Sequence, residues 1–133
     1  MNAGQNDPEM ILTLPHAISM MERSVELDES FFNYSGVTFL AVVAASLPEA
    51  LGGSPERAHE LFERALELTE RKFFTVHVSY ARTYAVQTQD RDLFIRLLRE
   101  VLDGGDPLEE ARLTNRIARR RALRWLSRID DLF

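Results

Sequence analysis

The chain has 133 residues and carries 16 basic and 21 acidic side chains, which give it a formal net charge of -5 at pH 7. This length suits one domain with its own core. Without cysteine it can form neither a disulfide framework nor a thiolate metal site, and three histidines offer zinc few ligands. The acidic balance also disfavours a general nucleic-acid binder, because such proteins gain affinity by neutralising phosphates.

The N-terminal segment MNAGQNDPEM lacks the basic and apolar regions of a signal peptide. We expect residues 1–9 to form a flexible segment and residues 10–133 to form one helical-repeat domain. The longest uncharged run, FFNYSGVTFLAVVAASLP at 31–48, contains several polar residues and is short for a membrane span. It predicts a buried helix whose small residues let neighbouring helices approach closely.

Apolar residues recur at helical spacing along the chain, and no stretch alternates as a β-strand would. Pro15 suits the first turn of the first helix, and Ser54 and Asp90 suit the N-caps of the third and fifth. Asp106, with Glu109 reaching back to it, is expected to open the last helix. The pattern predicts six helices, at about 15–28, 31–48, 54–69, 73–89, 90–103 and 106–133. It also predicts a set of largely buried side chains: Phe62, Leu97, Leu98, Trp125 and Leu126.

The third and fifth predicted helices match when one is shifted onto the other by 36 residues, which is close to the length of one helical hairpin. The shift aligns Phe62 with Leu98. Ala58, Phe62 and Ala65 also keep the A-x3-F-x2-A spacing that resembles the second helix of a tetratricopeptide repeat. The expected fold class is therefore all α, a tetratricopeptide-like α-solenoid fragment of stacked antiparallel hairpins, with generic hairpin stacking as the alternative.

Three blocks of the sequence carry a more specific likeness: LPEALGGSPERAHELFERALELT, YAVQTQDRDLFIRLLREVLD and RLTNRIARRRALRWLSRIDDLF. In this order and spacing they resemble the TatT family, the T components that accompany TRAP (tripartite ATP-independent periplasmic) transporters. The likeness begins at about residue 10 and corresponds to the C-terminal half of a usual member. The chain departs from the family pattern by lacking a signal and a lipid-accepting cysteine, so we expect a fragment or a short version. Glu70 also replaces the proline expected after the second helix of the repeat.

The resemblance implies an accessory protein of a solute transport system, lipid-anchored in the periplasm when full-length. It implies binding to the periplasmic substrate-binding component, and it suggests a groove for a small, partly apolar ligand. The alternative function is a general helical-repeat scaffold for protein–protein interaction. We expect no nucleic-acid partner and no transmembrane segment.

Arginine supplies five of the ten residues of RIARRRALRW, at 116–125. At about 100° per residue, arginines four apart climb one side of the last helix, opposite an apolar stripe. One interpretation, which we favour, is a solvated face whose guanidiniums pair with carboxylates of neighbouring helices, for example the third. The other is a partner-binding surface, because apolar side chains lie among the arginines. The candidate partner-binding residues are Arg112, Arg116, Arg120, Arg124, Leu113 and Ile117.

The sequence predicts no catalytic, cofactor-binding or metal-binding residues, and we expect a protein that is not an enzyme. There is no glycine-rich phosphate loop or nucleophile motif. His59 and Glu63 are four residues apart on a face that reads as solvent-exposed, and His77 fits a hydrogen-bonded interior histidine. Four aromatic residues are candidates for a ligand groove, with core packing as the alternative: Tyr80, Tyr84, Phe73 and Phe74.

Self-association is a further expectation. If the chain is half of a longer helical array, its first helices lack the hairpin on which they would stack. Their apolar side chains should then be exposed and covered by a second copy of the chain in a homo-oligomer. The residues expected there are Met10, Ile11, Leu14 and Met21.

Overall fold

The computed structural model describes residues 8–28 and 30–133, with the backbone alone at 8–14, 31 and 32. Every regular element in that part of the chain is helical, which confirms the all-α prediction. The α-helices are α1 (Pro8–Leu27), α2 (Phe31–Ser46), α3 (Pro55–Leu68), α4 (Phe74–Tyr80), α5 (Arg91–Asp103), α6 (Arg112–Ser127) and α7 (Ile129–Leu132). Short 3-10 turns occur at Glu49–Leu51 and Glu109–Ala111, and a π-helical turn at Ala81–Ala85 extends α4.

Helix α1 begins earlier than the sequence predicted, at Pro8, so Pro15 lies inside it and not in its first turn. Apolar residues at helical spacing continue upstream of Pro15, and this pattern outweighs the missing backbone donor of one proline. Residues 1–7 of the predicted flexible segment lie outside the described residues. None of the described helices is long and apolar enough to cross a membrane.

Helices α2 and α3 form a closely packed hairpin. The uncharged α2 buries one side, including Val37, Ala41 and Ala44, as predicted for this run. Gly53 closes the turn between them, where a Cβ atom would stand 1.7 Å from the Leu47 carbonyl oxygen, so only glycine fits. Ser54 then caps α3 by accepting a hydrogen bond from the Arg57 amide at 3.2 Å, which confirms the predicted N-cap.

Helices α4 and α5 form the next hairpin and pack against each other. Asp90 caps α5 by accepting a hydrogen bond from the Leu93 amide at 3.1 Å, as predicted. The π-helical turn at Ala81–Ala85 was not predicted. The residues of the A-x3-F-x2-A pattern in α3 are fully buried: Ala58, Phe62 and Ala65.

The start and end of the last helix differ from the prediction. Asp106 does not cap it, because its carboxylate instead accepts a hydrogen bond from Arg112 Nε at 2.6 Å. The 3-10 turn at Glu109–Ala111 precedes α6, and α6 begins without a side-chain cap. The helical run is then interrupted at Arg128, after which the short α7 follows.

The core confirms three of the five buried residues that the sequence predicted. Phe62, Leu97 and Leu98 are at most 2% exposed, whereas Trp125 and Leu126 are only partly buried. On α6 the centre of the buried face belongs to smaller side chains, Asn115, Ala118 and Ala122. Trp125 and Leu126 flank this centre and pack against the edge of the core.

Candidate partner-binding surface

The arginine ridge, defined as Arg112, Arg116, Arg120 and Arg124, lies on the outer side of α6. The opposite side of the helix is anchored by the buried Asn115. Its Oδ1 atom accepts a hydrogen bond from the Phe74 amide at 2.9 Å, and its Nδ2 atom donates to the Lys72 carbonyl oxygen at 2.8 Å. These contacts fix the rotation of α6 about its axis. The sequence analysis missed Asn115, because its partners lie 41 and 43 residues away.

Three of the four ridge guanidiniums have no acidic partner. Arg112 pairs with Asp106, but Arg116, Arg120 and Arg124 have no carboxylate within 4.0 Å among the residues whose side chains the structure describes. The favoured interpretation, intramolecular pairing, is therefore wrong for most of the ridge. The physical reason is placement: α6 packs against α4 and α5, while the acidic α3 packs against α2 and α4.

Apolar side chains are exposed beside these arginines. Leu113 is 71% exposed and Ile117 is 42% exposed, so both candidate apolar residues are accessible to a partner. Not every arginine of α6 belongs to this surface: Arg119 is partly buried and donates a hydrogen bond to the Gly105 carbonyl oxygen. The structure thus brings together unpaired guanidiniums and accessible apolar groups on one side of α6.

Three helices contain no acidic residue, among them α6, which carries this surface, and α4, which packs against it; α5, the other helix packed on α6, has three. The sequences of α2, α4 with its π-helical turn, and α6 lack aspartate and glutamate throughout, whereas α6 alone has six arginines. The acidic residues concentrate elsewhere, including four in α3. The chain has a net negative charge, yet this part of its surface is positive.

A second polar cluster joins α4, α5 and the turn after α3. Glu100 accepts two hydrogen bonds from Arg71, at 2.7 and 2.8 Å, and lies 2.6 Å from His77 Nε2. Burial would raise the pKa of Glu100, but the hydrogen bonds from Arg71 and His77 outweigh burial and lower it. Burial lowers the pKa of His77, so the neutral ring donates from Nε2 to the carboxylate. The prediction of a hydrogen-bonded interior histidine is confirmed.

The other histidine singled out from the sequence, His59, has a partner that the sequence did not reveal. Its Nδ1 atom shares a hydrogen bond of 2.7 Å with the hydroxyl of the buried Tyr80. Burial, and then the nearby charge of Glu63, raise the pKa of Tyr80, so its hydroxyl stays protonated. Tyr80 also stacks on Phe62, with ring centroids 4.7 Å apart. In the described residues no group of three acidic or histidine side chains could hold a metal ion.

The four aromatic residues considered for a ligand groove do not share an open surface. Phe73, Phe74 and Tyr80 are at most 5% exposed and belong to the core, and only Tyr84 reaches the surface. A larger opening, the α1–α3 cleft, lies between α1, α2 and α3 and has a volume of about 710 Å³. Its walls are mainly apolar, and Glu22 and Arg57 are the charged residues that line it. The sequence analysis did not identify this cleft, because its walls come from three separate helices.

Comparison with known proteins agrees with the resemblance seen in the three sequence blocks. The family model of the TRAP transporter T-component matches residues 1–133. The match therefore includes the arginine ridge and the α1–α3 cleft. No curated protein matches the chain significantly. On the strength of a family match along its entire sequence, this chain belongs to the TRAP transporter T-component family.

Proposed function

We propose that this chain is a non-enzymatic accessory component of a TRAP solute transport system and that it binds the periplasmic substrate-binding component through the arginine ridge. Family membership supports the role in transport. The observation that carries the binding surface is the set of three arginines without an acidic partner beside exposed Leu113 and Ile117.

The chemistry of the ridge defines the surface that it would bind. Guanidiniums pair with carboxylates in a two-pronged geometry, and arginine is enriched at protein interfaces. The exposed Leu113 and Ile117 would enter an apolar depression when the arginines contact the acidic residues around it. We therefore propose a partner surface with an apolar centre and an acidic border.

The test is binding of the substrate-binding component of the same transport system, measured by biolayer interferometry at several salt concentrations. Arg120→Glu should weaken binding by about tenfold, roughly 1.4 kcal/mol, and Arg116→Glu with Arg120→Glu should abolish it. Raising the salt concentration should weaken the parent complex, because salt screens charges between exposed groups. Arg99→Glu, an equal charge change on α5, is the matched control and should bind as the parent does.

Thermal unfolding separates binding from folding in these variants. Arg116 and Arg120 lack acidic partners, so both variants should unfold within a few degrees of the parent, as exposed substitutions do. Equal binding by the parent and the double variant would refute the ridge as the docking surface. A substrate-binding component that fails to bind the parent would favour the general scaffold.

We also propose that the small, partly apolar ligand occupies the α1–α3 cleft. Its volume of about 710 Å³ lies within the range of small-molecule sites, and Glu22 and Arg57 can orient a polar group. The fluorescent probe ANS should bind there, and Val43→Trp, which fills the cleft, should remove most of the fluorescence increase. Thr88→Trp, at an exposed position outside the cleft, is the control. Equal ANS binding by both tryptophan variants would contradict the proposal.

A further inference from the structure

A groove between α4 and α6 has a lining that neither the sequence nor the proposed function explains. Its volume is about 230 Å³. On one side the lining includes Thr75 and Ser79 of α4 and Arg82 of the π-helical turn, and on α6 it includes Thr114 and Arg121. Thr75, Ser79 and Arg82 are four and three residues apart, and Thr114 and Arg121 are seven apart, so each set lies on one face of its helix.

The direction of the helices brings the two arginines to the same end of this groove. Each hairpin turn reverses the chain, so α4 and α6 run parallel. Asn115, near the start of α6, binds the backbone of Lys72 and Phe74 at the start of α4. From this contact, Arg82 lies eight residues beyond Phe74 and Arg121 six residues beyond Asn115, so both lie toward the C-terminal ends of the two lining segments.

Neither guanidinium has an acidic partner. In the part of the chain that the structure describes, no carboxylate lies within 4.0 Å of Arg82 or Arg121. The helices that line the groove hold no acidic residue at all. Two positive charges in one groove repel each other, and an anion between them would attract both and offset this repulsion.

The hydroxyl groups of the groove are also free. Elsewhere in the fold, the hydroxyls of Thr69, Thr83 and Thr88 donate to the carbonyl oxygen four residues earlier, at 2.6 to 2.8 Å. Within the described residues, the hydroxyls of three groove residues make no hydrogen bond: Thr75, Ser79 and Thr114. Each is therefore available to donate to a ligand.

We infer that this groove binds a small oxyanion, either a phosphate group or the carboxylate of a small organic acid. Two guanidiniums and three hydroxyls form a set of donors that matches several oxygens of one anionic group. Arg82 also belongs to the π-helical turn, and such turns occur frequently at functional sites. The volume admits inorganic phosphate or a short carboxylic acid. This site uses other arginines than the proposed partner-binding surface does, although Ile117 borders both.

The test measures backbone amide chemical shifts by NMR during a titration with inorganic phosphate and, in a separate experiment, with acetate. Chloride is the balancing anion that keeps the ionic strength constant. Saturable shifts should concentrate at 75–82 and 114–121. Arg82→Gln and Arg121→Gln should each weaken binding by about tenfold or more, as expected for loss of a charge-assisted pair. Arg99→Gln, which removes one positive charge on α5, should leave the affinity unchanged.

Thr114→Val provides a second variant that keeps every charge and nearly the same shape. It should weaken binding by severalfold if the hydroxyl contacts the anion. Preference for phosphate over acetate would assign the site to phosphate groups, and the reverse preference would assign it to carboxylates. Shifts that do not saturate, or a loss in Arg99→Gln equal to that in Arg121→Gln, would overturn the inference. Because no partner protein is present, this result stands apart from the test of the ridge.

Discussion

Arg71 donates two hydrogen bonds to Glu100, from Nε to Oε2 at 2.8 Å and from Nη2 to Oε1 at 2.7 Å. The backbone of Arg71 lies in the left-handed region, with φ of 58°. The pair joins the turn after α3 to helix α5, 29 residues farther along the chain. Since His77 on α4 contacts the same carboxylate, one side chain connects three consecutive parts of the fold. We expect the hydrogen bonds of Glu100 to contribute more to the free energy of unfolding than the other polar contacts between α4, α5 and the turn after α3.

Glu100→Gln tests that connection. The amide keeps the shape of the side chain but removes the charge that Arg71 and His77 contact. We expect the free energy of unfolding to fall by about 1.5–3 kcal/mol, the usual range for hydrogen bonds to charged groups. Chemical denaturation provides the measurement. Glu67→Gln, at an exposed position on α3, should change the stability by no more than about 0.5 kcal/mol, and equal losses in the two variants would contradict the expected role of Glu100.

Stability should also fall as the solution is acidified. Burial lowers the pKa of His77, so below its ordinary value of 6.5 the unfolded chain binds a proton that the folded chain does not. The lowered pKa of Glu100 acts in the same direction, and its contribution is lost as the pH falls below the ordinary value of 4.5.

His77→Asn isolates the histidine part of this dependence. The variant should lose stability less steeply than the parent between about pH 6.5 and pH 5, where the ordinary histidine titrates. Urea denaturation at a series of pH values measures both slopes. If the two proteins show parallel slopes in this window, His77 does not titrate as its burial requires.

The backbone at Glu70 excludes proline from the position that follows α3. Its φ is 54°, and its amide donates to the Glu67 carbonyl oxygen at 3.0 Å. Proline has φ near -65° and no amide hydrogen, so it satisfies neither condition. Glu70→Pro should therefore cost about 3 kcal/mol or more, while Glu70→Gly should leave stability equal or higher. Thermal unfolding of the two variants checks this, and a tolerated proline would show that the turn has another conformation.

Self-association remains a prediction. The side chains of Met10, Ile11 and Leu14 lie outside the described residues, and Met21 is partly buried. Farther along α1, Met20 is 61% exposed and Leu27 is 71% exposed, so apolar surface is available on this helix.

Sedimentation equilibrium should show dimers whose fraction rises with protein concentration. Leu27→Lys should weaken this association by about tenfold, because it places a charge in the proposed interface. Leu123→Lys is the matched control, since Leu123 is also exposed but lies on α6. A parent protein that stays monomeric at high concentration would contradict the prediction.

Local chemistry accounts for the helix features that the sequence predicted correctly. Ser54 and Asp90 are N-caps because a short oxygen-bearing side chain satisfies an amide three residues later, a relationship visible in the sequence. Asp106 has the same chemistry, but Arg112 offers it a charged partner six residues away, and the ion pair replaces the cap. A cap is therefore predictable only where no stronger partner is within reach.

The polar contacts of the candidate sites were much less predictable. His59 meets Tyr80 across 21 residues of sequence, and His77 meets Glu100 across 23. Such pairs depend on the packing of whole helices, which periodicity does not specify. The arginine ridge shows the same limit, because its position on α6 was predicted but its lack of carboxylates followed from which helices α6 contacts.

The positive charge of α6 does not vary with pH, because it comes entirely from arginine. A guanidinium keeps its proton throughout the accessible pH range, and acylation of lysine, a common way to remove a positive charge, cannot act on it. The only lysine of the chain, Lys72, lies outside this helix. The arginines of α6 therefore give a complex formed there no pH dependence of their own, while dissolved salt acts on both surfaces at once.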